Sequence, residues 1–172
     1  RRRGVLTRMM RQMLEQRRER GDAIVSLIAS ETPIYGRFGF GIAMQSDRYK
    51  IDRSDAVLIG DSDSAGRVRL ISLDEAAGAL PGIFDEAGAD RPGWITRKEP
   101  DWEHLFKDVE HERKNRSALH CALFEDDEKV AGYLLYRRTG DDRKGIEVME
   151  TLVTSDGAAE ALWRFCFGID LG

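Results

Sequence analysis

One stretch near the start of the chain restricts the fold most strongly. Between residues 5 and 20 apolar side chains recur at helical spacing with Arg and Glu between them, which predicts an amphipathic helix that ends at Gly21. Residues 23–29, Ala-Ile-Val-Ser-Leu-Ile-Ala, then form a continuous apolar run that is too short for a helix. Such a run is typical of a strand buried on both faces of a parallel sheet. A helix followed by a buried strand predicts an α/β unit.

Glycines and a polar segment separate this unit from the rest of the chain. Gly36, Gly39 and Gly41 interrupt the next stretch, residues 43–51 have the pattern of a strand, and Asp, Ser and Gly dominate the segment that follows. We therefore expect three parts: a first unit over residues 1–53, a linker over residues 54–66 and a second unit over residues 67–172.

The second unit alternates strand and helix patterns. Pro81 lies inside the first of its predicted helices and could kink or stop it. The order strand, helix, helix, strand, strand, strand, helix predicts a second α/β (α+β) unit. The expected elements are a strand at 67–73, a helix opened by Asp74 and ending near Glu86, a helix starting near Pro100, strands at 117–124, 129–138 and 145–153, and a helix capped by Asp156 that ends at Phe167.

Composition excludes several classes of protein. With 41% hydrophobic and 34% charged residues the chain is globular rather than disordered. A net charge of -4 argues against a nucleic-acid or membrane-surface partner for the chain as a whole, although positive charge is concentrated at its start. No apolar run approaches the roughly 20 residues of a membrane-spanning helix. Two distant cysteines and three histidines without ligand spacing predict neither a disulfide nor a metal site, and favour a reducing cytoplasm.

The most informative short motif precedes the first helix. A helix start offers unpaired backbone N–H groups and a positive dipole end, and a glycine lets a ligand approach the backbone closely. Flanking guanidinium groups would add charge, so the pattern predicts a pyrophosphate site. Read alone, three arginines before a helix are equally well explained as a solvated basic turn. The residues are Arg1, Arg2, Arg3, Gly4, Val5 and Leu6.

Two motifs carry a resemblance to a known family. Arg1-x-x-Gly4-x-Leu6 resembles the Arg/Gln-x-x-Gly-x-Gly/Ala pyrophosphate motif of the GNAT superfamily, and departs from it at Leu6. An Arg-Arg-Arg-Gly followed by two bulky apolar residues is similar to the Eis-type (enhanced intracellular survival) branch. Ala29-Ser30-Glu31 with Ile34-Tyr35-Gly36-Arg37-Phe38-Gly39-Phe40-Gly41 resembles the signature of that branch, with Phe40 replacing its common tyrosine. Residues 161–165 resemble, more weakly, the last helix of its second domain.

The resemblance implies both a fold and an activity. It implies tandem GNAT-like units, with mixed sheets flanked by helices and a first unit that is incomplete at its N-terminus. It also implies an N-acetyltransferase that uses acetyl-CoA as co-substrate and acts on an amine, either an aminoglycoside or a lysine side chain. A cytoplasmic homo-oligomer, a hexamer in the family, is expected, with neither nucleic acid nor membrane as partner.

Tyr35 is the candidate catalytic residue. Transfer of an acetyl group from a thioester to an amine expels a thiolate, which a positioned acid should protonate as it leaves. A tyrosine suits this task because its ordinary pKa of about 10 keeps it protonated at neutral pH. Tyr35 follows the predicted buried strand at the end where an α/β sheet presents its ligand site. The resemblance assigns it the same role and implies that Ser30 binds the pantetheine arm of the cofactor.

The second unit lacks the features of the first motif. Residues 154–159 carry no arginine, and Asp156 at the start of the last helix would repel a pyrophosphate. We therefore expect a GNAT-like domain without a cofactor site. Because the family places its oxyanion donors and its carboxylate base outside this segment, the isolated chain is expected to be inactive. The alternative hypothesis is a non-catalytic GNAT-like binding or scaffold protein.

Overall fold

A computed structural model describes residues 3–60, 66–126, 129–140 and 144–169. The chain divides into two compact units, residues 1–50 and residues 51–172. Each unit has its own secondary structure. The predicted assignment of domain roles to these parts stays a prediction.

The first unit begins with the predicted amphipathic helix. Helix α1 spans Val5–Glu19, and its Met10 is buried while its arginines face solvent. Gly21 has a left-handed φ of 77° and donates its N–H to the carbonyl of Arg18. This is the backbone conformation that glycine adopts at helix ends without strain. The prediction that Gly21 terminates the helix is confirmed.

A short helical segment follows in the first unit. Helix α2 spans Thr32–Tyr35 and continues into a 3₁₀ turn at Gly36–Phe38. Pro33 lies in the first turn of α2, where its missing N–H costs no hydrogen bond. Gly39 ends the turn with a φ of 89°. The glycine-bracketed loop is therefore a compact helical turn that places Tyr35 at its centre.

The two strands predicted in the first unit are wrong. Neither residues 23–29 nor residues 43–51 form a strand, and Ile24 and Ile28 are 87% and 99% exposed. The physical reason is that a strand exists only through hydrogen bonds to a neighbouring backbone. The described residues of this unit supply no such neighbour. An apolar sequence run was therefore not sufficient to make a strand.

The second unit is built on a four-stranded sheet with the order β1-β2-β3-β4. Every neighbouring pair is antiparallel, so the mixed sheet expected for this unit is wrong. Short connections between β2, β3 and β4 produce hairpins, which can only be antiparallel. The strands are β1 at Arg67–Ile71, β2 at His120–Glu125, β3 at Val130–Thr139 and β4 at Gly145–Val153.

Three α-helices accompany the sheet in the described residues of the second unit, in the predicted order. Pro81 does not end the first of them, because Leu80 and Phe84 on either side of it are buried in the core. They are α3 at Leu73–Gly88, α4 at Glu99–Lys107 and α5 at Asp156–Gly168.

The predicted N-caps of two of these helices are wrong by one or two residues. Ser72 caps α3 by accepting the N–H of Glu75 at 3.1 Å, and Ser155 caps α5 by accepting the N–H of Ala158 at 3.2 Å. The aspartates proposed as caps, Asp74 and Asp156, lie in the first turns. There the carboxylates stabilise the helix through its dipole. Each serine instead has an extended backbone, from which its hydroxyl can accept an N–H of the first turn.

The sheet separates two apolar cores. Alternate residues of β2 and β3 point to opposite faces: Cys121 and Tyr133 belong to the layer with α3 and α4, and Ala122 and Leu134 to the layer with α5. Both faces of the central strands are therefore covered, and their side chains are almost fully buried. The second unit has a complete core within the described residues.

Candidate active site

The start of helix α1 is open to solvent and has no cap. Gly4 occupies the N-cap with a left-handed φ of 70°, and no side chain among the described residues caps the first turn. The turn contains no acidic residue. Helical hydrogen bonding begins with the N–H of Arg8, which donates to the carbonyl of Gly4 at 3.1 Å. Within the part of the chain that the structure describes, no acceptor occupies the backbone N–H groups before Arg8, so they can bind an external acceptor.

Gly4 is required by this geometry. A left-handed φ strains most residues that carry a Cβ, and the position where a Cβ would project is open space. Glycine therefore gives an anion unobstructed access to the helix start. Val5 and Leu6 in the first turn are 49% and 37% exposed, and Arg3 is exposed beside them. Arg1 and Arg2, also predicted to contact the cofactor, lie outside the described residues.

Ser30 and Tyr35 are brought together by α2. The hydroxyl oxygens Ser30 Oγ and Tyr35 Oη lie 3.4 Å apart, within reach of a hydrogen bond. Tyr35 is half-buried, and the ring of Phe40 meets it edge to face with 6.4 Å between ring centres. Sequence reasoning chose both residues but did not foresee this contact. Their five-residue spacing around Pro33 was the signal that could have indicated it, because one helical turn brings such positions close.

The two parts of the candidate site are not linked by a hydrogen bond. Within residues 3–60, none joins the first turn of α1 to the Ser30–Tyr35 pair. Each part therefore stands on its own geometry. The helix start can accept an anionic group, and the tyrosine hydroxyl can donate a proton.

The charge of the two units differs in sign. Residues 1–50 carry 11 Lys and Arg against 5 Asp and Glu, whereas residues 51–172 carry 16 against 26. A basic surface attracts a polyanion over roughly the Debye length, about 8–10 Å at physiological salt. The first unit is therefore the electrostatically favoured place for a phosphorylated ligand.

The start of α5 in the second unit is capped, unlike the start of α1. The hydroxyl of Ser155 occupies the N–H of Ala158, and Asp156 adds a carboxylate to the first turn. A phosphate would have to displace the cap and approach a negative charge. This helix start does not have the chemistry found at Gly4.

One cluster of ionisable groups inside the second unit is paired internally. Tyr133 is fully buried and donates to Glu150 Oε1 at 2.6 Å, and Arg97 binds the same carboxylate with two nitrogens. Burial and the bond to Glu150 raise the pKa of the Tyr133 phenol well above its ordinary range. The guanidinium of Arg97 also lies 4.5 Å from the ring centre of Phe84. This cluster binds α3, β3 and β4 together and has no free group for catalysis.

The described residues contain no group of three or more His, Cys, Asp or Glu side chains arranged to bind a metal. None of the helices in those same ranges is long and apolar enough to cross a membrane.

Both units are similar to known acetyltransferase domains. Residues 1–43 and residues 93–171 each match an Acetyltransferase (GNAT) domain family. An N-acetyltransferase Eis of Mycobacterium tuberculosis is 30% identical over 99% of this chain and 42% of its own length. The crystal structure of Eis1 from Mycobacterium abscessus aligns with a TM-score of 0.69 at 27% identity, over 99% of this chain and 43% of that one. The chain is thus similar to Eis-type GNAT acetyltransferases over nearly all of its own length.

Another relative is more similar in sequence. An uncharacterized N-acetyltransferase of Streptomyces avermitilis is 36% identical over 99% of this chain and 43% of its own length. The chain thus spans less than half the length of the curated relatives it matches. The predicted resemblance to the Eis-type family is confirmed, and the uncapped helix start at Gly4 lies within the part that matches a GNAT domain.

Proposed function

We propose that this chain is part of an acetyl-CoA-dependent N-acetyltransferase whose acceptor is an amine. The observation that carries the proposal is the uncapped start of α1, where Gly4 leaves the first-turn amides open inside a basic unit. These donors fit the pyrophosphate of coenzyme A, with Arg3 adding charge beside them. When bound, acetyl-CoA supplies an activated acetyl group.

Tyr35 is proposed as the general acid. Its phenol lies on a short, glycine-bounded turn and can donate its proton to the group that leaves the acetyl carbon. The acceptor is an aminoglycoside or a lysine side chain, as the family resemblance implies. The general base and the oxyanion donors are not assigned to residues of this chain.

The second unit is proposed to be a GNAT-like domain that binds no cofactor. The capped and acidic start of α5 supports this reading, because it offers a phosphate neither free amides nor positive charge. Its tasks would be to shape the acceptor pocket and to form contacts in a cytoplasmic homo-oligomer. The same observation favours the second candidate function, a non-catalytic GNAT-like scaffold, for this unit taken alone.

The cofactor proposal can be tested with two glycines at opposite ends of one helix. Gly4 and Gly21 flank α1, both have left-handed φ values, and both have open space where a Cβ would project. In the complete protein that contains this chain, Gly4→Ala and Gly21→Ala should destabilise the fold to a similar small extent. Only Gly4→Ala should weaken acetyl-CoA binding in calorimetry. Equal affinity of both variants and the wild type would refute the site.

The residues 1–172 expressed alone are proposed to lack acetyltransferase activity. Ile24 and Ile28 are almost fully exposed, so the first unit should be cut first in limited proteolysis, before about residue 66. A stable product starting near Arg67 should remain. Robust turnover of an amine by this chain would contradict the proposed division of labour.

A further inference from the structure

The contact between the hydroxyls of Ser30 and Tyr35 suggests a role for Ser30 in the proposed chemistry. We propose that Ser30 is a positioning residue for Tyr35: its hydroxyl donates a hydrogen bond to the phenol oxygen and thereby directs the phenol proton away from itself. The inference rests on the proposed function, in which Tyr35 is the acid. It differs from the role that the family resemblance implies for Ser30, which is contact with the pantetheine arm.

Backbone hydrogen bonds order the turn that carries Tyr35. The N–H of Ile34 donates to the carbonyl of Glu31 at 3.1 Å, and the N–H of Phe40 donates to the carbonyl of Tyr35 at 3.4 Å. The ring of Phe40 also packs edge to face on Tyr35. The tyrosine ring is therefore restrained on one side by Phe40 and at its hydroxyl by Ser30.

Donor counting shows which direction of the bond is compatible with an acid. A phenol has one proton to give and can also accept hydrogen bonds. If Tyr35 donated to Ser30, its proton would be occupied and could not reach a leaving group. If Ser30 donates, the phenol proton is free to point toward the reacting atom. The geometry recorded here, 3.4 Å between oxygens, permits either direction, and only the second is compatible with an acid.

The same bond becomes stronger during proton transfer. When Tyr35 gives its proton to the departing thiolate sulfur, the O–H bond of the phenol breaks, an S–H bond forms, and a phenolate remains. A hydrogen bond from Ser30 to this phenolate is charge-assisted and shorter than one to the neutral phenol. The long distance in the free protein is consistent with this, because catalytic hydrogen bonds often tighten only in the reacting complex. Over the whole transfer the C–N bond forms and the C–S bond breaks, and the proton that the attacking amine loses is carried through water to the phenolate, which regenerates Tyr35.

Kinetics in the complete protein separate positioning from cofactor binding. Ser30→Ala should lower kcat about tenfold, as expected for loss of one hydrogen bond to a charged group. It should leave the KM for acetyl-CoA unchanged. Ser30→Thr keeps the hydroxyl and should restore most of the rate. In a Tyr35→Phe background, Ser30→Ala should cause no further loss, because the two residues act on the same proton.

An unchanged kcat with a raised KM for acetyl-CoA would overturn the proposal and make Ser30 a cofactor ligand. Additive losses in the double variant would overturn it as well. A fully active Tyr35→Phe variant would instead remove Tyr35 as the acid, and this inference with it, while the proposed acetyltransferase activity would stand.

A spectroscopic measurement on the complete protein that contains this chain tests the contact without turnover. The chain has four tyrosines, and a ¹³Cζ label gives each phenol one NMR signal, with that of Tyr35 identified by its loss in Tyr35→Phe. Ser30→Ala should move the Tyr35 signal and leave that of Tyr49, an exposed tyrosine in the same unit, in place. If the Tyr35 signal does not move, the contact is absent and the inference fails, whatever the activity of the complete protein.

Discussion

Residues 23–29 of the first unit and β3 of the second unit are similarly apolar, yet they end in opposite environments. Ile28 is 99% exposed and belongs to no strand, whereas Leu134 in β3 is fully buried between two hydrogen-bonded neighbours. The difference does not lie in side-chain chemistry. Burial in a sheet depends on adjacent backbones that satisfy the N–H and C=O groups, and on a helical layer that covers each face.

The two units differ in their helix starts as well. The first turn of α1 has a left-handed glycine and no capping side chain, while α5 has a serine cap and an aspartate. A stable fold favours the second arrangement, since a cap contributes about 1 kcal/mol. The first arrangement gives up that stability and leaves donors free for a ligand. The helix start in the first unit therefore suits ligand binding, and the helix start in the second unit suits stability.

The largest expected effect concerns burial. Leu162→Ala in α5 removes a fully buried side chain and should lower the free energy of unfolding by about 2–5 kcal/mol. Ile28→Ala, its counterpart in the first unit, should change it by about 0.5 kcal/mol or less, because the side chain has little contact to lose. Denaturant unfolding of this chain measures both. A large loss of unfolding free energy for Ile28→Ala would show that residues 23–29 are buried in solution, and the contrast in burial between the two units would not hold.

Tyr35 in the first unit and Tyr133 in the second unit are expected to differ in the same way, one serving catalysis and the other stability. In the complete protein, Tyr35→Phe should lower kcat about 100-fold with little change in acetyl-CoA affinity, which is the usual contribution of a general acid. Tyr133→Phe breaks the bond to Glu150 and should destabilise the second unit by about 1–3 kcal/mol while kcat stays near the wild-type value. Steady-state kinetics and thermal unfolding distinguish the two. An active Tyr35→Phe variant would remove Tyr35 from the mechanism.

Asp108 should make the stability of the second unit depend on pH. Its carboxylate is buried, which disfavours its charge, but the amide of Leu119 and the guanidiniums of Arg137 and Arg113 outweigh burial and lower its pKa. Because the folded-state pKa lies below the unfolded one, the stabilisation is complete above the unfolded value and is lost as pH falls through the folded value. Wild-type unfolding free energy should therefore decrease below about pH 4.

Asp108→Asn is the matching variant. Asparagine tolerates the left-handed φ of 41° at this position, so the substitution removes the charge and keeps the backbone. The variant should be about 1–3 kcal/mol less stable at pH 7 and should show a weaker acid dependence. Asp85→Asn, an exposed carboxylate on α3, is the control and should behave like the wild type. Parallel acid unfolding curves for Asp108→Asn and the wild type would contradict this account.

The smallest effect is expected at the helix caps. Ser155→Ala should cost about 1 kcal/mol, because it frees the N–H of Ala158 that the hydroxyl accepts. It should not create acetyl-CoA binding in the second unit, since Asp156 still presents a negative charge. Calorimetry with a chain that begins near Arg67 provides the check. Measurable binding would show that the cap alone, and not the charge, closes this helix start.

The sequence by itself determined the element order of the second unit, the helix that ends at Gly21, and the candidate residues Gly4, Ser30 and Tyr35. These follow from local rules: helical periodicity, the conformational freedom of glycine, and motifs whose residues are adjacent in the chain. The family resemblance was recognisable for the same reason, because the signature from Ala29 to Gly41 is continuous.

Tertiary structure alone decided which apolar runs became strands, which direction the strands took, and which hydroxyls met. Residues 23–29 carry a strand pattern, but pairing is a property of two backbones and cannot be read from one. The antiparallel sheet follows from the short connections that make hairpins of neighbouring strands. Ser72 and Ser155 are the N-caps because their backbone angles are extended. The 3.4 Å contact between Ser30 and Tyr35 depends on one helical turn closing between them, a distance that no residue type encodes.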